Sequence, residues 1–393
     1  MKKRLFAVMM AATMVVGLLT GCGSSGASKV TTEGKNTSST EASEDKAASE
    51  TKGKPFKLAV GLPDSGSTMF SLMSNNVTTM VEALGGTVVF QGGVGASTDA
   101  TIQFVEDQIA AGANGIIFSP PSDAVLTSVS AMCEEAGVYW GITFRTILDK
   151  EVIDYITASD YYIGNCFEDE EQAGYQVMAD MYLKGIKKVA IISQAKGNTT
   201  TDRREAGAQQ ACEELGMEIV AEARALTQAS DATSAAESFL SAYSDLDAIF
   251  VVGTTGAGMH EAVAKAIADA GKSDTVKLAT IDFPDTMPEL FEKDCLVASA
   301  GLISWGYDPY IITTILANQC KGTPIAEDPV SISFPMSSIN DIDTANTWTT
   351  RFGNAATLYY EKDVITSTLD KANNPDLTLE SLIEMIVKYT SNI

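Results

Sequence analysis

Residues 108–120 read QIAAGANGIIFSP. A helix-type segment stops at Gly112, the run GIIFS follows over 115–119, and Pro120-Pro121 ends it. A run that is apolar at nearly every position, bounded by glycine and proline, predicts a strand covered on both faces, as in parallel sheets. The same punctuation repeats on either side. Upstream, FKLAVGL (56–62) predicts a strand, 70–84 a helix stopped by Gly85-Gly86, 87–91 a strand, and 99–111 a helix. Downstream, 123–136 predicts a helix and 138–143 a strand. This βαβαβαβ order predicts a parallel sheet with helices on both faces.

The pattern then restarts. Helices expected over 168–183, 201–215, 230–242, 258–270 and 286–291 alternate with strands over 188–193, 218–223, 248–252, 277–281 and 297–302. Two such halves, joined near 155–164, predict an α/β protein of two doubly wound parallel-sheet lobes joined by a hinge. The expected N-terminal lobe takes 55–162 and about 302–328; the C-terminal lobe takes 163–301 and about 329–393. The residues after Pro324 include a polar stretch over 337–350 and a helix over 379–389, and they exceed what two such lobes need. Ligands bind beyond the carboxyl ends of the strands in open parallel sheets. Two lobes facing each other with those ends would form a cleft that hinge motion can close.

Ahead of the lobes, Lys2, Lys3 and Arg4 precede an apolar run of 15 residues over 5–19. This is the charged and apolar pattern of an export signal, shorter than the roughly 20 residues of a membrane-spanning helix. It ends in Leu19-Thr20-Gly21-Cys22, which resembles a bacterial lipobox: small residues give a peptidase access, and the thiol is then open to acylation, with palmitate. The expectation is a signal over 1–21 and a lipid anchor on Cys22 at the extracytoplasmic face of the cell membrane. An ordinary cleaved signal with a chance cysteine is the other reading. Ser, Thr, Gly, Lys and Glu dominate 23–54, so 22–54 should be a flexible tether that cannot bury enough apolar area to fold.

The formal net charge of −24 argues against a nucleic-acid partner, whose phosphates need Lys and Arg. Beyond Cys22, the cysteines at 133, 166, 212, 295 and 320 are odd in number and widely spaced, without a CxxC pair. They read as buried free thiols rather than a disulfide or zinc framework. His260 is the only histidine, and there is no G-x-S-x-G elbow, HExxH or phosphate loop. No enzyme activity, cofactor or metal is expected. The run Glu168–Glu171 reads as a helix start complementing the dipole.

Several segments together resemble the periplasmic-binding-protein type I superfamily in its ribose-binding-like branch. They are FKLAVGLPDSGSTMF (56–70), QIAAGANGIIFSP (108–120), EAGVYWGITFR (135–145), Arg204-Glu-Ala-Gly207, LDAIFVV (246–252) and LATIDF (278–283). Their order and spacing cover roughly 56–324. The resemblance implies a small-molecule ligand, usually a sugar, and an ABC permease as partner; a chemoreceptor or histidine kinase is the alternative. A monomer is expected. A glycoside hydrolase would need two opposed carboxylates, and Asp64 and Asp282 formally offer them.

The expected ligand residues follow from the strand ends. Asp64, Ser65, Ser67 and Thr68 precede a helix, where hydroxyls and N–H groups can hold a ligand oxygen or simply cap the helix. Phe70 resembles the family's ligand-flanking aromatic, with a core ring as the alternative. Arg145 offers a rigid fork or a hinge salt bridge. The family often has Asp-Arg there, but this chain has Phe144-Arg145, which favours a ligand with an apolar part. Asn198 and Arg204 begin a second-lobe helix, and Arg204 reads equally as helix-start packing. Relatives usually place an Asn-Asp pair where this chain has Gly253-Thr254, and the Thr hydroxyl remains a donor. Asp282 is a strand-end carboxylate able to accept two hydroxyls or pair with an ammonium. Trp305 stacks on a ligand or packs under the hinge. The expected ligand is a neutral or weakly anionic polyhydroxy molecule with one apolar face.

Overall fold

The computed structural model describes residues 55–63, 66, 68–253, 258–302 and 307–390. The expected signal, the anchor at Cys22 and the tether over 22–54 lie outside the described residues. The chain first lays down β1 (Lys57–Leu62), α1 (Thr68–Ala83), β2 (Thr87–Gly92), α2 (Thr98–Ala110), β3 (Gly115–Phe118), α3 (Leu126–Ala136), β4 (Tyr139–Thr143), α4 (Lys150–Ile156) and β5 (Tyr162–Glu168). It continues with α5 (Glu170–Leu183), β6 (Lys188–Ile192), α6 (Thr199–Leu215), β7 (Glu218–Ala223), α7 (Ala229–Ala242), β8 (Ala248–Val251), α8 (Met259–Asp269), β9 (Lys277–Ile281), α9 (Met287–Glu292) and β10 (Leu296–Gly301). The return segment holds α10 (Tyr307–Cys320), β11 (Val330–Phe334), β12 (Ser337–Ile339), α11 (Ile342–Phe352), α12 (Lys362–Thr368) and α13 (Leu379–Thr390).

Two six-stranded sheets result, in the orders β2-β1-β3-β4-β5-β11 and β7-β6-β8-β9-β10-β12. Every pairing is parallel except β10 with β12. This is the expected two-lobed, doubly wound α/β architecture. The apolar runs have a direct physical reason. Leu58 and Val60 enter one core layer while Ala59 enters the layer behind, and Ile117 and its neighbours Ile116 and Phe118 divide the same way. In the second lobe, Ile249 and Val251 face one layer and Ala248 and Phe250 the other. A strand buried on both faces has no polar side to show.

The sheet pairing moves the expected lobe boundary. β5 pairs with β4, and β11 pairs with β5, so 163–168 and 330–334 belong to the first sheet instead of the C-terminal lobe. Gly164 makes the second pairing possible: its φ is +122°, and a Cβ there would overlap the Val330 backbone. The chain therefore crosses between lobes after Glu168, after Gly301 and after Phe334.

A fourth crossing follows α11. That helix packs on the second lobe, with Trp348 5.0 Å from Phe283 between ring centroids. The chain then passes to the first lobe, where Asn76 Nδ2 donates to the Thr357 carbonyl (2.8 Å) and Asn76 Oδ1 accepts from the Tyr359 N–H (2.7 Å). Ile365, Leu369, Leu382 and Ile386 close the same core layer as α1 and α10. β12 and α11 thus lie with the second lobe, whereas β11, α12 and α13 lie with the first, against the expectation that 329–393 belongs to the C-terminal lobe. Of the five described cysteines, Cys133, Cys166, Cys212 and Cys295 are buried free thiols and Cys320 is a free, partly buried one.

Candidate functional site

Both lobes turn their strand ends in the same way. Phe144 follows β4 with φ +63°, and Asp282 follows β9 with φ +68°. Each still ladders to the next strand: the Phe144 N–H donates to the Cys166 carbonyl (2.9 Å) and the Asp282 N–H to the Ala300 carbonyl (2.7 Å). A left-handed backbone costs a non-glycine residue roughly 1–2 kcal/mol. Two such residues at matching positions line one cavity, the pattern that makes a place a candidate functional site.

That cavity lies between the lobes and measures about 230 Å³. This is below the roughly 300–1,000 Å³ of sites for drug-sized molecules. The first lobe lines it with Leu62, Pro63, Met69, Phe70, Met73, Phe144 and Arg145. The second lobe adds Gln194, Asn198, Thr200, Thr201, Arg204, Gly253 and Asp282, while Glu168 and Glu170 flank the first crossing. The lobes also meet directly. Thr68 Oγ1 donates to Asp285 Oδ2 (2.8 Å), and Leu72 of α1 packs in the second-lobe core with Phe283.

Arg204 owes its place to two glycines. A Cβ on Gly207 would overlap the Glu171 carbonyl, and one on Gly174 would overlap the Arg204 carbonyl, so α5 and α6 touch backbone to backbone. This contact brings the Arg204 Nε to 2.5 Å from Glu170 Oε2, while Nη1 donates to the Val252 carbonyl (3.0 Å). Burial opposes the charge of Arg204, but Glu170 and Asp282 outweigh it and raise its pKa. Arg145 Nη1 turns back to the Phe144 carbonyl (2.9 Å). Burial lowers the Arg145 pKa, opposed by Glu170 and Glu168.

Asp308, on the first turn of α10, is fully buried, and neither carboxylate oxygen has a hydrogen-bond partner. The Phe144 N–H that faces it is committed to the Cys166 carbonyl. Burial first, and Glu170 second, push the Asp308 pKa well above the usual range. Glu168 is raised well above its usual value by burial, then by Asp308 and Glu170. A carboxyl whose pKa is raised by folding binds its proton more tightly in the folded state. Its stabilising contribution is complete at low pH and is lost as pH rises from about 4, the ordinary Asp value, through the raised one. Asp308→Asn should therefore flatten the decline of stability towards alkaline pH. Urea unfolding at a series of pH values checks this; parallel curves for the two proteins would refute it.

Of the expected ligand residues, Phe70, Phe144, Arg145, Asn198, Arg204 and Asp282 come together around the cavity. Asn198 also caps α6, its Oδ1 accepting from the Thr201 N–H (3.1 Å), and Phe70 also meets Phe90 edge-on at 6.1 Å. Thr68 is not in the lining; its hydroxyl is engaged by Asp285. Asp64, Ser65, Ser67, Thr254 and Trp305 lie outside the described residues. Glu168, Glu170, Gln194 and Thr201 were not anticipated as lining. The acidic run at 168–171 was the available signal: it straddles the strand end and the helix start at a crossing, so two of its members reach the cavity. His260 is buried on α8 and does not line the cavity.

Two doubly wound lobes with a cleft between their strand ends give the architecture of a two-lobed periplasmic binding protein. The periplasmic binding protein domain model matches residues 58–322, and the chain belongs to that family. No curated protein sequence matches it. Solved structures of the same fold include the following three. The first is an ABC transporter periplasmic solute-binding protein from Actinobacillus succinogenes with bound D-allose (18% identity, 75% of this chain and 100% of that one, TM-score 0.64). The second is an Agrobacterium vitis solute-binding protein bound with α-D-tagatopyranose (17%, 76% and 98%, 0.64). The third is a Bacillus halodurans solute-binding protein with bound myo-inositol (18%, 75% and 97%, 0.62). Among the described residues, no helix is long and apolar enough to cross a membrane.

Proposed function

We propose that this chain is the solute-binding lipoprotein of an ABC importer, held at the extracytoplasmic face of the cell membrane by an acylated Cys22. It captures a sugar or sugar-like molecule between its lobes and delivers it to a permease. The observation that carries this reading is the cavity itself. An apolar wall that includes Phe70 and Phe144 suits one face of a sugar ring, while Asp282, Arg145 and Asn198 suit its hydroxyls. Structures of the same fold hold D-allose, α-D-tagatopyranose and myo-inositol. The role is capture without turnover: the sequence offers no nucleophile–base pair, and among the described residues His260 is not part of the lining. Among the described residues, the lining has three carboxylates and two guanidiniums, which disfavours an anion and favours a neutral or cationic ligand.

A thermal-shift screen of monosaccharides, polyols, nucleosides and amino acids tests the reading, because a ligand of the folded state raises the melting temperature by mass action. Stabilisation by sugars or polyols is the expected result; stabilisation by amino acids or nucleosides alone would contradict it. In cells, a labelled fatty acid should mark the wild-type chain and not Cys22→Ala.

A further inference from the structure

The cavity holds one carboxylate that its own protein does not match. Glu168 ends β5, is 8% exposed and lines the cavity. Among the described residues, its carboxylate has no hydrogen-bond or ion-pair partner. The two guanidiniums in the described lining make their direct contacts elsewhere, Arg204 pairing with Glu170 and Arg145 turning back to its own main chain, and they reach Glu168 only through their charge. Among the described residues, the lining contains no lysine or histidine. Behind Glu168 stands Asp308, fully buried and itself without a partner. A desolvated carboxylate in this position is costly unless a cation reaches it.

We propose that the cavity is built for an amine-bearing sugar or cyclitol and that Glu168 receives its ammonium group. The inference rests on the sugar-binding reading and deepens it. The ammonium supplies the missing positive charge, so carboxylates and cations in the closed site come into balance. A charge-assisted hydrogen bond in a water-poor cleft is roughly twice as strong as a neutral one. The second-lobe hydroxyls and amides remain for the ring hydroxyls, and the apolar first-lobe wall remains for the ring face. A neutral sugar leaves Glu168 holding a proton. An amino sugar expels that proton as its ammonium arrives.

The groups that face Glu168 set the pH behaviour. They are Asp308 of α10, Glu170 of α5, Arg204 of α6, Asp282 after β9 and Arg145 after β4, with Cys166 on its own strand. Burial and the three neighbouring carboxylates favour the protonated form of Glu168, and Arg204 opposes them. Cation binding should therefore release a proton, and its affinity should rise with pH while the ligand amine stays charged.

The test is calorimetric titration of the intact chain, purified in detergent. D-glucosamine, D-galactosamine and D-mannosamine are compared with the matching neutral hexoses at about pH 6.5, below the ordinary range of an α-amino group. At least one amino sugar should bind about tenfold tighter than its neutral counterpart. Its binding should release a proton, read from the dependence of the heat on buffer ionisation enthalpy. In Glu168→Gln the two affinities should converge and the proton release should vanish. Neutral hexoses binding as tightly as their amino counterparts, or an amino sugar binding without proton release, would overturn the assignment of Glu168 and leave the sugar reading standing. No binding by either class would overturn both.

Discussion

Asp282→Asn is expected to weaken sugar binding by roughly two orders of magnitude, about 3 kcal/mol for two lost charge-assisted hydrogen bonds. The aspartate lines the cavity from the end of β9 in the left-handed region. Asparagine tolerates that backbone, so the variant isolates the loss of the carboxylate. Alanine at the same position should bind as poorly and add about 1 kcal/mol of backbone strain. At a ligand concentration that stabilises the wild type by about 2.7 kcal/mol, both variants should show almost no thermal shift. A full shift in the asparagine variant would place the ligand elsewhere.

Removing residues 354–393 is expected to destabilise the protein more than any single substitution discussed above. The segment contributes Tyr359, Ile365, Leu369, Leu377, Leu382 and Ile386 to the core layer over α1 and α10, all 3% exposed or less. Burial of six such side chains stabilises on the order of 10 kcal/mol before chain entropy is set against it. The polar groups make the dependence sharper. Asn318 is fully buried, donates to the Leu369 carbonyl (2.9 Å) and accepts from the Lys371 N–H (2.8 Å). Lys321 forms a buried ion pair with Asp370 at 2.7 Å. Truncation removes these partners and opens Asn76, Asn318, Lys321 and the apolar layer of α1 and α10 to water, so the hydrogen bonds and the ion pair are lost together with the apolar burial. The truncated chain should melt more than about 10 °C lower or fail to accumulate in soluble form. Equal melting temperatures would show that the extension is peripheral.

These examples also show where sequence reading succeeds. β1, β3 and β8 were legible because strands buried on both faces leave unbroken apolar runs. β5 was not, because YIGNCFE interrupts its apolar residues with Gly164 for close approach, and with Asn165, and ends on Glu168. β11 is a short alternating run, VSISF, whose partner lies more than 160 residues away in the chain. No local pattern announces such a pairing, so the lobe boundary was misplaced at both 163 and 329. The site divides along the same line. Phe144, Arg145 and Asp282 were legible as strand ends. Glu168 and Asp308 were not, since they become neighbours only where two separate crossings meet. The extension had a faint signal in Asn76 and Asn318, amides on otherwise apolar helix faces that need main-chain partners from another segment.

The central claim, that a small sugar-like ligand sits between the lobes, is tested most directly by a crystal structure of the chain grown with the best-binding sugar. The account predicts the ring against Phe144, with hydroxyls on Asp282 and Arg145. A ligand bound outside this cleft, or a cleft with no density for a sugar that binds in solution, would contradict it.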